Sequence, residues 1–209
     1  MRLPNVRASL LFVYLAMLAI SLLTTDIRPL DTLLLHLPTF VALALAVWHG
    51  LRRPLTTYSY GLVFAFLTVH LVGSHYLYSE VPYDGWWRAL TGTTLTEQFA
   101  FERNHFDRLV HFLFGLLLAR PICELLAQWL PLSRLGGIGL SILVISFLSL
   151  VYELIEWGIA ATLSPETAEN YNGQQGDVFD AQKDMALALA GNLLSGGVLA
   201  RTAFRGSRD

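Results

Sequence analysis

The sequence predicts an all-α polytopic membrane protein, with six transmembrane helices in one bundle forming a single domain over 1–209. Three observations carry this. Of 209 residues, 54% are hydrophobic and 14% charged, whereas soluble domains carry about 25% charged residues; mean hydropathy is +0.51. Six apolar segments come close to the length of about 20 residues that a bilayer requires of a helix. The arginines gather in alternate connections, as the positive-inside rule expects. Formal net charge is −2, and no basic stripe of the kind that binds nucleic acid is present. A single cysteine, Cys123, excludes an intrachain disulfide and a cysteine-based zinc site.

The segments run roughly Ser9–Thr24, Leu30–His49, Tyr58–Tyr78, Phe106–Leu130, Leu135–Ala161 and Asp180–Ala200. The first is short and is extended by its flanks. Arg2 and Arg7 precede it as in a signal peptide, but no small-residue cleavage site follows, so it reads as an uncleaved first span. Thr25–Pro29 and Pro131–Arg134 are short turns. The sixth segment is rich in Ala and Gly (Ala186, Ala188, Ala190, Gly191, Gly196, Gly197), which suits close helix contact in lipid. With the N-terminus inside, the inner segments collect Arg2, Arg7, Arg52, Arg53, Arg134, Arg201, Arg205 and Arg208. The outer segments hold only Arg28, Arg88, Arg103 and Lys183. Both termini are therefore expected in the cytoplasm. The long connections, about 79–105 and 164–179, then face outward as loops. Trp86, Trp87 and Trp157 are expected at the outer interface, and His36 and His49 read as interfacial residues. Arg120 and Glu124, four apart, read as a local pair.

Within the fifth segment, Tyr152-Glu-Leu-Ile-Glu-Trp157 places Glu153 and Glu156 three residues apart on one face of an apolar helix. A carboxylate there is costly unless it faces the protein interior and has a partner. The orientation brings others to the same depth. Asn104, His105, Asp107, Arg108 and His111 open the fourth span, His75 ends the third, and Asp177, Asp180, Lys183 and Asp184 open the sixth. Asp107 and His111 are four apart and share a face, while Asn192 lies further down the sixth helix. So many carboxylates repel one another unless Arg108, Lys183 or a divalent metal neutralises them. Asp177 and Asp180 also suit plain capping of a helix N-terminus.

Three motifs give a family resemblance: His105-Phe-Asp-Arg-Leu-Val-His-Phe-Leu-Phe-Gly115, Tyr152-Glu-Leu-Ile-Glu-Trp157, and Gly173-Gln-Gln-Gly-Asp-Val-Phe-Asp-Ala-Gln-Lys-Asp-Met185. The chain resembles, over nearly its whole length, the YjdF-like bacterial inner-membrane proteins, a domain family of unknown function. It is more loosely similar to VanZ-like membrane proteins, whose link to lipoglycopeptide resistance implies work at the envelope. The resemblance implies a six-span protein of the bacterial inner membrane and no particular reaction.

Function is read as a metal-dependent hydrolase acting on a lipid or lipid-linked envelope substrate. His105, Asp107, His111, Glu156, Asp177 and Asp180 are candidate ligands for zinc, manganese or magnesium. Glu153 and Asp184 are candidate catalytic carboxylates, and either can also act as a ligand; Arg108 and Lys183 are candidate phosphate holders. No strict ligand signature such as His-Glu-x-x-His is present. Two other readings stand beside it. One is a proton-coupled transporter, opposed by the one-sided placement of the acids and the lack of an inverted repeat. The other is a non-catalytic envelope protein that binds a lipid or a partner.

Overall fold

A computed structural model describes residues 6–205. Arg2 and Arg208, on which the charge count partly rests, lie outside the described residues. The helices are α1 (Val6–Thr24), α2 (Pro29–Gly50), α3 (Thr57–Tyr76), α4 (Tyr83–Thr91), α5 (Leu95–Phe99), α6 (Phe106–Trp129), α7 (Arg134–Thr162), α8 (Pro165–Asn172) and α9 (Asp180–Arg205). No strand occurs among the described residues. Six helices, α1, α2, α3, α6, α7 and α9, are long and apolar enough to cross a membrane.

Local chemistry sets their ends. Pro29 opens α2 at a position where its missing N–H costs nothing. Thr56 and Ser133 cap α3 and α7 by accepting from the amides of Ser59 and Gly136. Glu124 of α6 secures the α3 cap from outside, bonding Thr56 Oγ1 (2.9 Å) and Ser59 Oγ (2.5 Å). Arg120 lies over the Tyr58 ring. The two residues expected to pair at i, i+4 spacing thus turn to separate partners at the start of α3. Pro38 and Pro121 sit inside α2 and α6, as membrane helices tolerate.

α6 is the central helix, packed on α3, α7 and above all α9. Two glycines permit that last contact. A Cβ at Gly115 would strike the backbone of Ala188 and Asn192, and one at Gly191 the backbone of Phe112 and Leu116. α1 and α2 are peripheral; each packs on α3, and α2 also touches α8. The outward faces carry Phe12, Leu23, Leu143, Phe147 and Leu154 in the open, as a lipid-facing surface should.

The two long connections are not plain loops. The first holds a 3-10 turn, Tyr78–Glu80, then α4 and α5; the second holds α8. The signals were local caps: a Thr94–Glu97 capping box for α5, and Ser164 with Pro165 for α8. α8 is strapped to the bundle by Arg28, which bonds Asp31 and Thr167, and by Asn170, which donates to Asp31 Oδ2 (2.8 Å). His36 and His49, expected at the interface, are both buried against protein. His49 packs beside Trp129, and neither ring nitrogen of His36 has a hydrogen-bond partner.

Candidate functional site

Most of the polar residues singled out in the sequence meet at the end of the bundle formed by the start of α6, the end of α7 and the start of α9; His75 of α3 instead bonds Ser21 of α1 at 3.1 Å. They sort into two tiers. The upper tier is an ion network just outside and at the mouth of the spans. Arg103 donates to Asp180 Oδ1 (2.5 Å) and to the carbonyls of Gln174 (2.9 Å) and Gly173 (3.0 Å). Arg108 bonds Asp177 and reaches His105 Nδ1 at 3.1 Å. Lys183 holds the same Asp177 oxygen at 2.6 Å. Asn104 and Gln175 stitch the two connections together: the Asn104 amide donates to Gln175 Oε1 (2.9 Å), and Gln175 Nε2 returns to the Asn104 carbonyl (3.1 Å).

Asp177 and Asp180 therefore serve the cations of this network, and Arg108 and Lys183 are engaged by Asp177. The Lys183 ammonium, then the Phe179 amide, hold the Asp177 carboxyl down at about 2. Burial, then the Arg108 charge, push the His105 imidazole below its ordinary value, so neutral Nδ1 can accept from Arg108. A carboxylate whose folded pKa lies below its unfolded value of about 3.9 contributes stability at any pH above that value. It loses the contribution only as pH falls toward the folded pKa. The melting-temperature gap between wild type and Asp177→Asn is thus expected to be the same at pH 8 and pH 5 and to narrow only below about pH 4. A gap that closes between pH 7 and pH 5, followed by scanning fluorimetry in detergent, would overturn this assignment.

The lower tier lies one to two turns inside the helices. Asp107 and His111 of α6 and Asp184 of α9 are all buried, and one ligand atom from each lies within 4.8 Å of the other two. His111 Nε2 is 3.6 Å from Asp107 Oδ1 and 3.7 Å from Glu153 Oε1 of α7. Both gaps are too long for hydrogen bonds. They match the edge of a coordination shell, since two donors at about 2.1 Å from a tetrahedral ion stand roughly 3.4 Å apart. Glu153 Oε1 and Asp184 Oδ1 are buried without a hydrogen-bond partner. Among the described residues no Arg or Lys pairs with Asp107, Glu153, Glu156 or Asp184, in contrast to Asp177 and Asp180. Glu156, one turn beyond Glu153, has its backbone carbonyl capped by Asn172 Nδ2 at 3.3 Å. Asn192, deeper on α9, donates to the Ile142 carbonyl at 3.0 Å.

Aromatic residues close the site. Tyr152 meets the His111 ring edge to face and stacks on Tyr171 of α8. Tyr78 bonds His70 and lies against Gly73, where a Cβ would come 2.6 Å from its ring. Arg103, Tyr78 and Asn172 were not among the sequence candidates. For Arg103 a signal existed: Asp180 at a span mouth needs a cation, and Arg103 stands just before the partner helix.

Fold and site together define a six-helix integral membrane protein with a buried histidine and carboxylate cluster at one end of its bundle. The chain belongs to the DUF2238 family, described as predicted membrane proteins, whose sequence profile matches residues 6–205. It is 32% identical over 165 residues to inner membrane protein YjdF of Escherichia coli (strain K12), covering 78% of this chain and 75% of that one. No solved structure matches. With six apolar helices and an inner-membrane relative, it is a multi-pass inner-membrane protein that resides in a lipid bilayer.

Proposed function

We propose that this protein is a metal-dependent membrane hydrolase acting on a lipid or lipid-linked envelope substrate. Asp107, His111 and Asp184 hold a divalent ion, and Glu153 is the general base. The observation that carries the reading is the convergence of these buried donors without a lysine or arginine among them. Carboxylates gathered in an apolar bundle repel one another unless protons or a cation neutralise them. Mixed nitrogen and oxygen donors suit zinc or manganese, and an oxygen-dominated subset suits magnesium. A bound ion of this kind polarises the scissile group and brings the pKa of water to about 7. Glu153 Oε1, 3.7 Å from His111 and otherwise unpartnered, takes the proton from water, and Glu156 stands one turn away to receive it. Arg108 and Lys183 offer a phosphate the contacts that Asp177 now fills. By the distribution of arginine, this end of the bundle faces outward and both termini are cytoplasmic.

The test is the metal content of detergent-purified protein by elemental mass spectrometry, wild type beside Glu153→Gln and His111→Ala. Near-stoichiometric zinc, manganese or magnesium is expected in wild type, with at least a tenfold loss in His111→Ala. Glu153→Gln should retain more metal than His111→Ala but fail to hydrolyse lipid or polyprenyl-phosphate substrates in a screen. Metal-free wild type, after candidate ions were supplied throughout purification, would sink the reading.

A further inference from the structure

The opposite end of the bundle carries a different kind of site. α1 and α2 both lean on α3, and between the three helices lies a cavity of about 420 Å³. Its walls are aliphatic and aromatic, with Leu11 and Tyr14 from α1, Leu43 and Ala46 from α2, and Phe64 and Leu67 from α3. At its mouth stands Arg7, bonded to Thr57 Oγ1 at 3.3 Å and placed over the Tyr60 ring. The Tyr60 side chain lines the same rim against α2 where Gly50 leaves room; a Cβ there would lie 2.7 Å from the Tyr60 hydroxyl.

Among the described residues, charge at this end is one-sided. Arg7, Arg52, Arg53, Arg120, Arg134 and Arg201 gather here, against Glu124, which is taken up by Thr56 and Ser59. Arg52 and Arg53 spread over Trp48 and Trp129, the geometry of side chains at a bilayer interface. The cavity follows α2 from Leu43 to Gly50, about 10 Å at 1.5 Å per residue. It is a slot for an extended hydrocarbon chain with a guanidinium at its polar rim. A basic rim between transmembrane helices favours an anionic headgroup.

We propose that the α1–α2–α3 cavity binds one acyl chain of an anionic phospholipid from the surrounding bilayer, with the lipid phosphate held by Arg7. The guanidinium, with five N–H donors in a planar fork, matches a phosphate diester better than an ammonium would. The site is separate from the acidic cluster, and its success or failure leaves the reading of that cluster untouched.

The experiment is native mass spectrometry of the full chain released from detergent, after delipidation and addition of dioleoyl phosphatidylglycerol or dioleoyl phosphatidylcholine. One bound phosphatidylglycerol per chain is expected, at least tenfold tighter than phosphatidylcholine. Arg7→Gln should abolish that preference while leaving the fold intact, and Ala46→Trp, which fills the slot, should remove the adduct with either lipid. Glycerol phosphate, a headgroup without chains, should not bind. Equal affinity for the two lipids in wild type would overturn the proposal. So would a phosphatidylglycerol adduct that survives Arg7→Gln at full strength. If Ala46→Trp fails to fold, the Arg7→Gln comparison decides by itself.

Discussion

Asp184→Asn protein is expected to melt above wild type in the presence of a chelator and below it in saturating zinc or manganese. The crossing follows from what Asp184 does in each state. Without an ion it is one of three buried carboxylates, with Asp107 and Glu153, gathered around a single imidazole, and its Oδ1 has no partner. Replacing it with an amide of the same shape removes a charge that must otherwise be repelled or protonated. With an ion present, the same carboxylate is a ligand. A ligand that binds only the folded state at 100 times its dissociation constant stabilises by about 2.7 kcal/mol. In a chain of this size that shifts the melting temperature by roughly 5–10 °C. Wild type should gain that increment on metal addition and Asp184→Asn should gain little. The measurement is scanning fluorimetry of both proteins in one detergent, with chelator and then with each metal. Equal metal-induced shifts in the two proteins would remove Asp184 from the ligand set. A lower melting temperature for Asp184→Asn in chelator would mean that its carboxylate is already neutralised without an ion.

The second large effect belongs to the α6–α9 crossing. Gly115→Val and Gly191→Val are each expected to abolish recovery of monodisperse protein, or to lower its melting temperature by about 6–12 °C. A Cβ at Gly115 would sit 2.7 Å from the Asn192 amide nitrogen, and one at Gly191 2.9 Å from that of Leu116. Both obstacles are backbone, which cannot swing aside as a side chain can. Overpacking a tight core costs about 1–3 kcal/mol and more when the backbone must move. Parting α6 from α9 would also draw Asp107 and His111 away from Asp184, so any folded Gly115→Val should have lost metal along with stability. Gly197→Ala is the control. Nothing lies within 4 Å of a Cβ there, so that protein should match wild type or exceed it slightly, alanine being the better helix former. Normal yield and stability for Gly115→Val would mean that the two helices do not meet as closely as described.

Much of the candidate site was legible as one-dimensional pattern. Glu153 and Glu156 stood out because lipid makes an unpaired carboxylate costly. Asp107 and His111 stood out because spacing of four shares a helical face. The tertiary structure then divided the candidates by their neighbours. Asp177 and Asp180 face Arg103, Arg108 and Lys183, while Asp184, one turn inside Asp180, faces His111 and Asp107. Spacing alone could not draw that line, because all three acids recur at intervals of three and four while Arg103, Arg108, Asp107 and His111 come from other parts of the chain. Arg103 shows the same limit. Its partners, Asp180 and the carbonyls of Gly173 and Gln174, lie about 70 residues away in the chain.

By itself the sequence determined the number, length and order of the spans. Bilayer thickness sets helix length, and apolar runs report it directly without reference to any partner. It also determined which side chains could not face lipid. The tertiary structure alone decided which carboxylates found cations and which were left to one another. It also decided that His36 is buried without a hydrogen bond, and that α1, α2 and α3 leave a slot where their inner faces fail to meet. The physical reason is common to all three. Burial of a polar group is costly or harmless according to the atom placed a few ångströms away. In a bundle that atom belongs to another helix, whose rotation and depth are set by contacts such as Gly115 on Ala188, which no local pattern records.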